Sequence, residues 1–140
     1  MIRPIRFVSI SLLRATEKTV ESHVFKIKDI IERLEIWTNP IRIERNTSAV
    51  MDGHHRLEAA RLLGLSHVPC AEYDYLEVQV ISTRPEYDVH GKAIIERALR
   101  GNPYPCKTTK HTFPDDLRVA IPLCELRSAQ RRPYTTSISD

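Results

Sequence analysis

Val50-Met51-Asp52-Gly53-His54-His55-Arg56-Leu57-Glu58-Ala59-Ala60 is the stretch that decides the reading of this chain. Ala49, Val50 and Met51 form a short apolar run that reads as a strand. Asp52-Gly53 follows as a turn, and a helix is expected from there to Leu63. Leu57, Ala60 and Leu63 mark its inner face, and Gly64 is its stop. A strand, a glycine turn and a helix start in succession make an anion site. The first N–H groups of a helix have no partner inside it, and the helix dipole is positive there. Gly53 lets the backbone come close to a ligand. His54, His55 and Arg56 add donors at the same mouth, and Arg56 can hold phosphate oxygens with both prongs of its guanidinium. Taken singly, Asp52 reads as a helix cap and the histidines as surface residues. Together, in one turn after a strand, residues 51–56 read as a phosphate site.

Ahead of this turn, Ile5 to Leu13 is apolar and β-branched and reads as a strand leading into a loop. Thr16 is a candidate helix N-cap, with Glu17 in the first turn where the dipole favours negative charge. Val20, Val24, Ile27, Ile31 and Leu34 then recur at helical spacing. Asn39-Pro40 closes that region. Ile41 to Glu44 alternates like a half-buried strand, and Arg45-Asn46-Thr47 is a turn.

Beyond it, His67 to Tyr73 reads as a strand. Leu76 to Ile81 reads as another, with Leu76, Val78 and Val80 on one face. Gly91 to Arg100 is helical, with Ile94, Ile95, Ala98 and Leu99 inward and Gly101 as its stop. A proline-rich loop, Asn102 to Pro105, and a last apolar segment, Val119 to Leu123, complete the pattern. The mixed order of strands and helices predicts an α/β (α+β) fold with a small mixed sheet and flanking helices. The sheet order is not readable from pattern.

The 140 residues suit one domain with its own core. With 41% hydrophobic and 28% charged residues, the composition is that of an ordinary globular protein. No apolar run approaches the roughly 20 residues of a membrane span, and Met1 to Arg6 lacks a secretory signal. A cytoplasmic location and no membrane partner are expected. Cys70, Cys106 and Cys124 are odd in number and far apart, so reduced thiols are expected rather than disulfides or zinc. The net charge of +3 is mild, and the one dense basic cluster, Arg127 to Arg132, reads as a solvated tail. A nucleic-acid partner is disfavoured, and a small anionic ligand fits.

Residues 50–60 resemble the signature turn and helix of the ParB/sulfiredoxin superfamily. Asp52-Gly53-His54-His55-Arg56 is similar to the form of its free serine kinase branch, which includes the kinase-like regulator of staphyloferrin B synthesis. Sulfiredoxins carry a catalytic cysteine where this chain has His54. ParB proteins carry Gly-Glu-His-Arg and bind a cytidine nucleotide. Ala15-Thr16-Glu17 resembles the stretch that carries the branch's catalytic glutamate. Tyr104-Pro105-Cys106-Lys107-Thr108-Thr109-Lys110-His111 resembles its substrate-binding segment.

The resemblance implies a ParB N-terminal/sulfiredoxin-like catalytic domain over residues 1–126, with 127–140 as a basic polar tail. It implies phosphorylation of free L-serine to O-phospho-L-serine, with ATP or ADP as donor and Mg2+ as cofactor. Glu17 and Asp52 are then the candidate catalytic residues, Asp52 also being the candidate metal ligand. Gly53, His54, His55 and Arg56 would hold the nucleotide phosphates. Thr108, Thr109, Lys110 and His111 offer groups for the serine carboxylate. Trp37, the only tryptophan, is a candidate pocket residue, with a packing role as the alternative. The competing function is a ParB-like nucleotide switch acting on DNA or a protein partner without turnover. A ParB-type nuclease would need a cluster of metal-binding carboxylates that is not evident.

Overall fold

A computed structural model describes residues 3–127. Met1, Ile2 and the stretch 128–140 lie outside the described residues, and with them all of the expected tail except Arg127. Along the chain come β1 (Arg6–Ser9), a 3-10 turn (Ile10–Leu12), α1 (Glu21–Leu34), β2 (Ile36–Trp37), β3 (Ile41–Glu44), β4 (Val50–Asp52) and α2 (His54–Leu62). Then follow β5 (His67–Tyr73), β6 (Gln79–Ser82), α3 (Gly91–Arg100), β7 (Thr109–Thr112), β8 (Ile121–Pro122) and α4 (Leu123–Arg127). The architecture is the expected mixed α+β type.

The site hangs on a four-stranded sheet in the order β1-β5-β3-β4. β5 runs antiparallel to β1 and parallel to β3, and β3 is antiparallel to β4 with an irregularity between Arg42 and Ile43. Pro69 sits in this central strand because the parallel ladder to β3 starts only at Cys70. β3 is itself an interior strand. Its alternation was expected to leave one face wet, yet Ile41, Ile43 and Glu44 are all buried. The buried Glu44 carboxylate is satisfied by the Asn46 and Thr47 amides and the Thr47 hydroxyl. Two short ribbons, β2-β8 and β6-β7, flank the sheet.

α1 and α2 pack on each other and on the core formed by Ile31, Trp37, Ile41, Ile43, Leu57, Ala60 and their neighbours. Leu57 is 1% exposed and pins α2 to the sheet. Such burial contributes about 2 kcal/mol, and truncation to alanine costs about 2–5 kcal/mol.

Several expectations are corrected. α1 starts at Glu21, so Thr16 caps no helix and Glu17 lies in no helical turn. Residues 14–17 instead form isolated bridges, Arg14 to Ala49 and Glu17 to Tyr104, with a bend at Thr16 between them. The buried Thr16 hydroxyl donates to Val50 O at 2.7 Å. These long-range bonds outcompete a local cap. Within the stripe on α1, Val24 and Ile31 are buried, while Val20 and Leu34 at its ends are exposed. Leu76 is not in a strand. Asp74 accepts the Leu76 amide and folds residues 74–77 into a turn, leaving Leu76 95% exposed. Leu99 is exposed although Ile94 and Ala98 of the same helix are buried. Arg127, where the basic tail was expected to begin, is the last residue of α4. Among the described residues, no disulfide joins Cys70, Cys106 or Cys124, and no helix is long and apolar enough to cross a membrane.

Candidate functional site

The backbone turns from β4 into α2 through Gly53, at φ 111° and ψ 22°. A side chain is disfavoured there twice. That conformation strains any residue with a Cβ, and a Cβ would sit 3.1 Å from Ile41 Cγ1. The turn opens onto a cavity of about 230 Å³. Its walls are Glu17, Lys18, Ile27, Met51, Asp52, Gly53, His54, His55, Arg56 and Thr109. The first amides of α2 are the helical donors at its base.

The two histidines hold the Glu17 segment rather than lining up as free donors. His54 Nε2 accepts the Thr16 amide at 3.0 Å, and His55 Nε2 accepts the Val20 amide at 3.0 Å. Each ring therefore carries its proton on Nδ1, as assigned from these bonds. Burial pushes the His54 pKa down to about 4 despite the nearby Asp52. Burial also lowers His55, helped by His23, whose ring stands edge-on with centroids 5.3 Å apart. Both are neutral at pH 7. His54 and His55 were expected to add donors at this mouth; in the structure the Nε2 of each accepts a backbone amide of the Glu17 segment.

Between these two anchors stands Glu17. Its Oε2 accepts the Lys107 amide at 2.7 Å. Its Oε1 accepts the Thr109 amide at 3.2 Å and the Thr109 hydroxyl at 2.7 Å. The carboxylate is thus fixed in one orientation at the cavity wall. Each carboxylate oxygen can accept about two hydrogen bonds, so Oε2 keeps acceptor capacity.

Arg56 does not present a free fork. Its Nη1 donates to Asn39 O at 3.0 Å and Pro40 O at 3.2 Å, and its Nη2 donates to Asp52 Oδ2 at 3.2 Å. It ties the turn to the segment before β3 and offers only its remaining N–H groups. Asp52 is half-exposed, with Oδ2 turned to Arg56 and to Arg42 at 3.8 Å. Among the described residues, no group of three or more His, Cys, Asp or Glu could hold a metal ion. Asp52 is a single carboxylate on the wall. That suits a magnesium carried mainly by nucleotide phosphates and not a dedicated metal cage.

The segment 104–111 divides. Thr109 reaches the cavity. The Thr108 hydroxyl is buried and donates to Pro105 O at 2.6 Å. Lys110 is exposed on the strand's other side and does not line the cavity. His111 pairs with the Tyr75 hydroxyl at 2.8 Å, and burial pushes its pKa to about 4. Trp37 is outside the cavity. It is 1% exposed in the core, its indole N–H donating to Asn39 O at 2.6 Å. Lys18 lines the cavity and was not singled out from sequence; a lone exposed lysine gives no pattern to read.

No family model matches the chain. A ParB-like protein of Sulfolobus acidocaldarius is 34% identical over 76 residues. That match covers 54% of this chain, and the chain spans 38% of that protein's length. A free serine kinase mutant solved with AMP superposes at a TM-score of 0.81 and 13% identity, covering 90% of this chain and 95% of that one. A second mutant solved with ADP gives 0.80 at 13% identity, covering 88% and 94%. SbnI from Staphylococcus aureus, truncated at its C-terminus, gives 0.79 at 14% identity, covering 89% of each chain. The chain therefore has the fold shared by the free serine kinase and SbnI structures.

Proposed function

We propose that this chain phosphorylates free L-serine to O-phospho-L-serine, with ATP or ADP as donor. The observation that carries the reading is the pairing of a fixed Glu17 carboxylate with the N-terminus of α2 across one cavity. The free serine kinase structures of the same fold, solved with AMP and ADP, support it.

The donor phosphates lie against the amides that follow Gly53, where the helix dipole favours negative charge. Lys18 and the remaining donors of Arg56 add positive charge beside them. Asp52 would stand beside a magnesium ion brought in with those phosphates, and the ion would supply positive charge for the transferring group. Glu17 accepts a hydrogen bond from the serine hydroxyl and so aims its oxygen at the terminal phosphorus. A bond forms between that oxygen and the phosphorus, and the bond to the bridging oxygen of the donor breaks. The hydroxyl proton passes to Glu17 and then to water. ATP leaves as ADP, or ADP as AMP.

Phosphorus NMR with ATP or ADP, magnesium and L-serine tests the proposal. A new phosphomonoester resonance that needs serine is the expected result. The match to a ParB-like protein favours a second reading, a nucleotide-binding switch. Nucleotide binding with no phosphomonoester, together with retarded migration of DNA, would establish that reading instead.

A further inference from the structure

A second, smaller cavity lies beside the first and shares only Asp52 and Arg56 with it. Asn39, Pro40, Arg42, Leu117 and Arg118 complete its walls. Three guanidinium groups and one carboxylate therefore face one small space. Arg42 and Arg56 are mostly buried, with side chains 15% and 19% exposed, and both lean on the same oxygen of Asp52. Among the described residues the ion pair of Arg118 is with the exposed Asp116, a contact that water screens. Of the residues lining this cavity only Asp52 is acidic, while Asp116 pairs with Arg118 and Asp115 acts on Arg42 from outside the lining.

The donors are also not used up. A guanidinium has five N–H groups. Arg42 gives Nε to the Tyr73 hydroxyl at 3.2 Å and Nη2 to Asp115 O at 3.4 Å, and its Nη1 is only loosely paired with Asp52. Arg118 uses Nη1 on Asp116 and Leu117 O. The volume is about 70 Å³. That is under a third of the neighbouring cavity, a size suited to one tetrahedral or planar oxyanion.

We propose that the pocket formed by Arg42, Arg56 and Arg118 binds one small oxyanion group, a carboxylate or a phosphate, at a site separate from the turn at Gly53. Clustered arginines suit such groups because their planar forks match two oxygens at once. Burial is the main influence against the charged form of Arg56, Asp52 opposes it, and the like charges of Arg42 and Arg118 add a smaller push that a bound anion offsets. The inference does not rest on the kinase reading, since it concerns binding alone.

The test is an NMR titration of the whole chain with inorganic phosphate, with L-serine and with serinol, which lacks the carboxylate. The backbone amides of Asn39, Arg42 and Arg118 are expected to shift. Arg118→Gln, at a two-thirds exposed position where folding is not at risk, is expected to weaken binding about tenfold. Lys18→Gln, in the neighbouring cavity, should leave it unchanged. A response to L-serine that serinol does not reproduce identifies a carboxylate, and a response to inorganic phosphate identifies a phosphate. Equal affinities of Arg118→Gln and the parent for both anions would overturn the proposal. So would shifts confined to residues 53–56. Loss of turnover with anion binding intact would remove the kinase reading and leave this one standing.

Discussion

The Thr109 hydroxyl donates to Glu17 Oε1 at 2.7 Å, across 92 residues of sequence. This bond, with the Lys107 and Thr109 amides, joins the extended segment before α1 to the start of β7. His54 and His55 hold the same segment from the α2 side. Glu17 is therefore placed by two distant parts of the chain, and the site exists only when both are folded.

Glu17→Gln keeps the size of the side chain and removes its ability to take a proton. The proposed mechanism then loses about 10²–10⁴-fold in kcat, the usual contribution of a positioned base. Nucleotide affinity, measured by calorimetry, is expected to stay the same. Full turnover by this variant would remove Glu17 from the chemistry.

Thr109→Val deletes the hydroxyl and keeps the shape. A hydrogen bond to a charged group contributes about 1.5–3 kcal/mol, so kcat is expected to fall about tenfold or more. KM for the nucleotide should hold, and Thr109→Ser should restore the rate. A change in KM alone would show that Thr109 binds nucleotide and does not position Glu17.

Much of this arrangement was legible in the sequence, and the reasons are local. Gly53 stands at the end of an apolar strand and the start of a helix, and that order alone predicts where α2 begins. The bounds of β3, β5 and α3 followed from period and punctuation in the same way. Thr16 and Glu17 looked like a helix cap because a cap is the local use of those residues. Their actual partners, Val50, His54, Lys107 and Thr109, are far along the chain. Arg56 read as a free fork because the carbonyls of Asn39 and Pro40 that it binds carry no side-chain signal. Strand β7 was hidden in polar residues, since a two-stranded ribbon needs little apolar surface.

His54 and His111 make the fold sensitive to acid. Both have pKa values held near 4 by burial, against an ordinary value of 6.5. The unfolded chain takes up these protons near pH 6.5 and the folded chain only near pH 4. Stability from these groups is complete above 6.5 and is lost as the pH falls from there towards 4. The loss is on the order of 2 kcal/mol for each, discounted for the open cavity beside the His54 ring. Urea unfolding at pH 7 and pH 4.5 measures it, and His111→Phe should flatten part of the slope. An unchanged midpoint between the two pH values would contradict the neutral, buried state of these rings.

Arg56→Ala removes three hydrogen bonds and the partner of Asp52. A cost of about 2–4 kcal/mol in folding stability is expected, because two carbonyls and a carboxylate lose a largely buried donor. Arg56→Lys should fall between, keeping the charge and losing the fork. Unaltered stability with weakened nucleotide binding would mean that Arg56 serves the ligand alone.

A crystal structure of the chain with ADP and magnesium tests the central claim most directly. The expected result has the phosphates within hydrogen-bond distance of the His54, His55 and Arg56 amides and the terminal phosphorus facing the Glu17 carboxylate. Phosphates bound away from the Gly53 turn, or a Glu17 segment displaced from Thr109 and His55, would contradict it.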